Sequence, residues 1–326
     1  MKGDVMLSAR TWLVVAMAMS CSRATTTSAA AGGGATHADK PAAYWVERMR
    51  VDVPAARKEA GDALRERSAE NVPLLIEMLK SRGDAAKERW NEWFGADVFM
   101  RAFMLHGYAA SALGELGPAA SAAIPELLAA CAESDANVSA QYASFVAVRA
   151  RAALIKIRGA TLDDLEAQLA ERRSSAWQDA VATAAELGEY GRPLTKVLVA
   201  ALTDTSCARR DRAANALARI HADSSVAVPA LAAACSNSDA GLRFFALRSI
   251  TSYGTAALSA RAAVIARLAD ALPSNRQIAI TTLVAITPRV QRDSLVPLLA
   301  PLHVDPFTEV RATADAALKE LEKRVK

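Results

Sequence analysis

Four columns of residues recur in the C-terminal part of this chain, and they constrain its fold more than any other feature. Leu217, Ile250, Leu283 and Leu318 follow one another at intervals of 33, 33 and 35 residues. Four residues before each stands an alanine: Ala213, Ala246, Ala279 and Ala314. Seven before each stands an arginine: Arg210, Arg243, Arg276 and Arg311. Six before each arginine stands Asp204, Asn237, Asp270 or Asp305. Self-similarity at such a period marks a stack of supersecondary units.

The same frame continues upstream in weaker form, through Tyr108–Gly114, Ala150–Leu154 and Thr183–Gly188, with Ala60–Leu64 as the first unit. Each unit reads as two helices. The alanine–leucine pair, four residues apart, lies on one face of the first helix. A turn follows, often with glycine, as in Leu116-Gly117-Pro118. Pro73, Pro125, Pro229 and Pro297 each precede an apolar run and are expected to open the second helix, where a missing N–H has no partner to lose. In the third unit Thr161-Leu162-Asp163-Asp164 is expected to supply a side-chain cap instead. Gln277–Ile286 is β-branched and alone would suit a strand, but its register with neighbouring units predicts helix. Composition agrees. Hydrophobic residues make up 52% of the chain and aromatic residues only 5%. Much of the apolar content is alanine, which favours helices and buries little area per residue, so many helices in series are required.

These units resemble the HEAT-repeat family, including the short repeats of phycobilisome-lyase-like proteins. The clearest match runs from His303-Val304-Asp305-Pro306-Phe307 through Glu309-Val310-Arg311 to Ala314 and Leu318. The resemblance spans roughly Val51–Lys326 and implies an all-α fold, a right-handed α-solenoid of about seven to eight helix-pair HEAT-like repeats. It also implies that the aspartates and arginines of neighbouring units form a ladder, and that second helices line a concave surface. Asp204, Arg210, Asn237, Arg243, Asp270, Arg276, Asp305 and Arg311 are therefore expected to be structural, since a charge near the stack needs a partner. The ladder is clear only in the last four units, so the N-terminal half is expected to stack differently. Residues 81–99 are an insertion relative to the repeat. Ala43-Tyr44-Trp45-Val46 is expected to begin a short capping helix, and Lys319–Lys326 gives the last helix a charged outer side.

The N-terminus reads as an export signal over residues 1–20. Lys2 and Arg10 carry charge, and Trp12–Met19 is an apolar run too short to span a bilayer. Ala18-Met19-Ser20-Cys21 resembles a bacterial lipoprotein cleavage box, which implies a lipid on Cys21. Ala18 departs from the leucine usual there, and cleavage near Ala29–Ala31 is the alternative. Residues 21–40 are small, polar and glycine-rich, as a tether would be; the solenoid is assigned to 41–326. These features place the chain in the bacterial envelope, periplasmic or lipid-anchored, and in the cytoplasm if the leader is not a signal. Three further cysteines, Cys131, Cys207 and Cys235, rule out complete internal pairing. Cys131 and Cys235 sit at equivalent places about 30 Å apart along a stack, so buried single thiols are expected.

No motif points to catalysis, a metal or a cofactor. His37, His106, His221 and His303 lie in no metal-ligand spacing, and no CxxC occurs. Asp163-Asp164 is explained by its place at a helix start. Gly32-Gly33-Gly34 lacks a preceding strand, and no serine elbow is present. The net charge of +4 comes from interspersed acids and bases, without the basic patch of a nucleic-acid binder. Trp90, Trp93 and Phe94 share one helical face within the insertion. They are expected either to pack on the first repeats or to anchor a partner. The chain therefore reads as a non-enzymatic scaffold binding a protein or peptide at the envelope, with its oligomeric state open. The rival reading is an enzyme built on HEAT repeats, bilin-lyase-like or DNA-glycosylase-like.

Overall fold

A computed structural model of the chain describes residues 40, 42–49, 54–80, 99–132, 140–171, 174 and 176–322. All of them belong to a single unit that begins at Lys40. The export signal, the tether with Cys21, and Trp90, Trp93 and Phe94 lie outside the described residues.

The described residues form helices joined by short turns and loops, with no strand among them. A short helix α1 (Ala42–Met49) precedes eight first helices: α2 (Pro54–Glu66), α4 (Phe99–Leu116), α6 (Ala140–Arg158), α8 (Trp177–Leu187), α10 (Cys207–Arg219), α12 (Ala240–Ser252), α14 (Pro273–Ile286) and α16 (Thr308–Glu322). Second helices alternate with them: α3 (Ser68–Lys80), α5 (Ile124–Ala132), α7 (Asp163–Ala170), α9 (Thr195–Ala201), α11 (Ser224–Ala234), α13 (Arg261–Ile265) and α15 (Val296–Leu299). From α4 onward each first helix packs against the next, and each second helix leans on the first helix that follows it. This is an all-α solenoid.

The repeat columns explain the packing. Ala109, Leu113, Ala150, Leu154, Ala213, Leu217, Ala246, Ile250, Ala279 and Leu283 are all buried. Alanine lets neighbouring first helices approach, and the larger residue one turn on fills the space between them. Gln277–Ile286 is helical within α14, as its register predicts, because tertiary packing overrides β-propensity. Trp45, Val46 and Met49 of α1 are buried, so α1 covers the first unit. The core forms two clusters that divide at α6, one from Ala42 to Ile157 and one from Ala152 to Leu321.

Glycine ends several first helices for a backbone reason. Gly117, Gly188 and Gly254 follow α4, α8 and α12 with φ of 60°, 57° and 53°. This left-handed conformation is open to glycine without a Cβ clash. His221 takes the same place after α10, with φ 46°.

Two local expectations are corrected. Pro125 and Pro297 stand second in α5 and α15, but Pro73 and Pro229 lie inside α3 and α11, which begin five residues earlier at Ser68 and Ser224. In the second, fourth, sixth and seventh units the residues before the second helix form a 3₁₀ turn, whereas in α3 and α11 that lead-in is itself α-helical. Helix α7 has Leu162 at its N-cap with no side-chain cap bond. Asp163, Asp164 and Glu166 instead face the positive end of the helix dipole.

Candidate functional site

The C-terminal units are tied by a repeated three-part contact. Each aspartate or asparagine of the column first turns back on its own loop. Asp204, Asn237, Asp270 and Asp305 accept the N–H of Ser206, Asp239, Leu272 and Phe307 at 2.8, 2.9, 3.1 and 3.0 Å. The arginine six residues on then donates Nη1 to the backbone carbonyl of that residue. The distances are 2.8 Å for Arg210, 2.9 Å for Arg243, 2.8 Å for Arg276 and 2.7 Å for Arg311. In Arg210, Arg243 and Arg276 the remaining edge reaches the next unit. Arg243 pairs with both oxygens of Asp270 at 2.6 and 2.9 Å, and Arg276 with both oxygens of Asp305 at 2.8 and 2.9 Å. Such two-pronged ion pairs fix geometry as well as charge.

One rung departs from the column. Asn237 has no carboxylate to offer, and Arg210 pairs at 2.7 Å with Asp239, two residues later, which also caps α12. Asp211 lies beside this rung. Burial and the neighbouring Asp239 charge push its carboxyl up to about 6.

The N-terminal half uses a different set of charges at the opposite ends of the first helices. Glu115, Lys156, Glu186 and Arg219 occupy the last turns of α4, α6, α8 and α10. Lys156 donates to Glu115 at 2.7 Å and to the Glu186 carbonyl at 3.4 Å. Arg219 reaches Glu186 at 2.8 Å and the Ala185 carbonyl at 3.3 Å. Arg149 adds a bond to Glu186 at 3.1 Å and Arg57 another at 3.2 Å. Helix α2 thus runs past the C-terminal turns of its successors, since Arg65 also donates to the Glu115 carbonyl at 2.9 Å. Cations at helix C-termini are favoured by the dipole as well as by the carboxylates.

Glu186 is the centre of this network. Burial alone would raise its pKa, but the guanidiniums of Arg219, Arg149 and Arg57 outweigh burial and hold it at about 2. It is a permanent counter-ion at neutral pH, not a proton donor. Arg149 pays for its position by desolvation, which lowers its pKa, and its guanidinium stacks 3.6 Å from the Phe145 ring centre. The sequence did carry a trace of this site. One residue before the column leucine, most units have a small residue (Ala63, Ala112, Ala153, Ala216, Ser249, Thr282), and the fourth has Glu186.

Of the histidines singled out in the sequence, His303 bonds Asp315 at 2.6 Å, and among the described residues no group of three or more His, Cys, Asp or Glu is placed to hold a metal. Cys235 is buried and its thiol is pushed up to about 12, whereas Cys131 is half-buried and Cys207 exposed. The expectation of buried thiols thus holds for Cys235 and is corrected for half-buried Cys131 and for Cys207, which stands exposed at the first position of α10. No described helix is long and apolar enough to cross a membrane.

No family model matches the chain, and no curated protein matches it. Solved structures are similar to it at low identity. A HEAT-like repeats protein from the archaeon Thermococcus onnurineus is 13% identical, with 71% of this chain and 98% of that one covered, at a TM-score of 0.42. An engineered protein is 17% identical over 86% and 88%, also at 0.42. The CpcE–CpcF complex of phycocyanin lyase from Nostoc is 18% identical over 90% and 97%, at 0.33. Its paired helices, alanine–leucine register and inter-unit arginine–aspartate rungs make the described chain an all-α solenoid of repeated helix pairs.

Proposed function

We propose that this chain is a non-enzymatic interaction scaffold of the bacterial cell envelope that binds a protein or peptide on its repeat surface. The observation that supports this reading is the use made of buried charge. The rungs at Arg243–Asp270 and Arg276–Asp305 and the centre at Glu186 join successive units to one another. Units tied in this way hold their outward faces in fixed succession, which suits an extended partner. The envelope part rests on the leader, with Lys2, Arg10, the apolar run Trp12–Met19 and Cys21. Trp90, Trp93 and Phe94 are the proposed anchor, because aromatic side chains dominate interfaces.

The test is crosslinking in cells, followed by purification from the membrane fraction, beside a Cys21→Ser control. Retention of a specific partner by the native chain, lost on changing Trp90 and Trp93 to alanine, is the expected result. A chain found in the cytoplasm with Cys21 unmodified would remove the envelope reading and return weight to a lyase-like or glycosylase-like enzyme.

A further inference from the structure

Arg210 closes its rung with one prong where the next two arginines use two. Arg243 and Arg276 each place Nε and Nη2 on the two oxygens of an aspartate. Arg210 reaches Asp239 through Nη2 alone, at 2.7 Å, and its Nε is buried without an acceptor. Its Nη1 is held by the carbonyls of Asp204 and Thr205 at 2.8 and 3.4 Å, and Nη2 also meets Cys207 Sγ at 3.2 Å. None of these bonds goes to Asp211, the next residue in the chain.

Asp211 nevertheless faces the same joint. A Cβ added to Gly241 would stand 3.3 Å from Asp239 Oδ1 and 3.4 Å from Asp211 Oδ2. The two carboxylates therefore approach each other over the bare backbone in the first turn of α12. Asp211 Oδ1 is buried and accepts no hydrogen bond. The surroundings offer little compensation. On its own helix Arg212 is exposed, and Arg209 pairs with Asp204 at 3.3 Å. The Cys207 thiol bonds Asp239, and Arg243 of α12 is committed to Asp270. Asp179 and Glu186 of α8 are paired with Arg151 and Arg219. Lys196 of α9 is exposed, and α11 carries no charged residue. Two acids thus share one guanidinium. A buried carboxylate without a donor is costly, and a half-satisfied buried network is a weak one.

We propose that the joint between α10 and α12 is a pH-sensitive contact: protonated Asp211 donates its carboxyl O–H to Asp239 and draws the first turn of α12 onto α10, whereas ionised Asp211 repels Asp239 and loosens that turn. The proton comes from solvent and returns to it. Burial and the Asp239 charge outweigh Arg210 and Arg212 and lift Asp211 from 3.8 to about 6, so the folded chain takes the proton first. The stability of the joint is full below about pH 4 and is lost as pH rises through about 6. Glu186 acts in the opposite sense and at lower pH, with its value held at about 2. The inference rests neither on the envelope location nor on the aromatic anchor proposed above.

The test is a titration of the isotope-labelled full chain from about pH 8 to about pH 4.5, with side-chain carboxyl and backbone amide resonances followed together. The Asp211 carboxyl is expected to titrate about two pH units above an ordinary aspartate. The amides of Gly241 and Leu242 are expected to shift with the same midpoint, and to lose that response in Asp211→Asn. Asp239→Asn removes the facing charge and is expected to lower the Asp211 midpoint. In urea, the folding equilibrium constant of Asp211→Asn is expected to exceed the native one by about tenfold or more at pH 8, with the gap shrinking as pH falls through about 6. An Asp211 midpoint near 4, a first turn of α12 that does not respond, or a midpoint unmoved by Asp239→Asn overturns the proposal. So does a gap between Asp211→Asn and the native chain that stays constant with pH. If either variant fails to fold, the native titration and the response of Gly241 and Leu242 decide alone.

Discussion

Arg57 and Glu186 stand 129 residues apart in the chain and 3.2 Å apart in space. The contact joins the first unit to the last turn of α8, on a carboxylate that Arg149 and Arg219 already share. A buried acid with several guanidiniums is costly to remove from either side, because whatever remains is a buried charge with its partner gone.

Glu186 therefore sets an acid limit on stability. Its pKa falls from 4.5 to about 2 on folding, so the unfolded chain binds the proton more readily. The stabilisation is full above about pH 4.5 and is lost as pH falls towards 2. In Glu186→Gln the slope of stability against pH is expected to be shallower across that window, with lower stability at pH 7. Urea unfolding at a series of pH values measures both.

The rung between Arg243 and Asp270 is the best-closed pair of the C-terminal half, with Asp270 almost wholly buried. Burial alone raises the Asp270 pKa, but the hydrogen bond from Arg243 prevails and the net shift is downward. Arg243→Met leaves that buried carboxylate with only the more distant Arg267, at 3.6 Å, and is expected to cost about 3 kcal/mol. Arg311→Met strands no carboxylate that is ion-paired with it among the described residues, and is expected to cost about 1 kcal/mol or less. Denaturant midpoints of the two variants rank them directly.

Gly114 lets α4 and α6 touch. A Cβ there would stand 2.9 Å from the Ala153 Cα, which is backbone and does not yield easily. Gly114→Ala gains about 1 kcal/mol of helix propensity, but overpacking costs about 1–3 kcal/mol. A net loss of stability is expected, read as a lower melting temperature.

His221 offers the opposite case. It holds a left-handed φ of 46° at the place where other first helices end in glycine. His221→Gly relieves a backbone cost of about 1–2 kcal/mol and gives up about 1 kcal/mol to the freedom of unfolded glycine. The variant is expected to match or exceed the native chain by up to about 1 kcal/mol in thermal unfolding.

Thiol labelling separates the cysteines. Cys207 is exposed, whereas Cys235 is buried with a thiol raised to about 12. A maleimide is expected to modify Cys207 in the native chain and to reach Cys235 only after unfolding. Peptide mapping after brief labelling distinguishes them, and early modification of Cys235 would mean that its unit is not packed as described.

The sequence by itself determined the repeat. The alanine, leucine, arginine and aspartate columns are legible because each unit meets its neighbour in the same way, so one local solution is written again every 33 residues or so. The helical state of Gln277–Ile286 follows from that register even though its residues favour strand. The same periodicity made Arg243, Asp270, Arg276 and Asp305 readable as a ladder. Only the tertiary structure decided what breaks the period. Asp239 serves Arg210 because Asn237 cannot, a choice set by which oxygen lies within reach once α12 is capped. Glu186 draws Arg57, Arg149 and Arg219 together because α2 runs past the ends of later helices, and that path has no spacing rule in the chain. Periodic contacts leave a periodic signature; a contact made once, between distant units, is fixed by geometry alone.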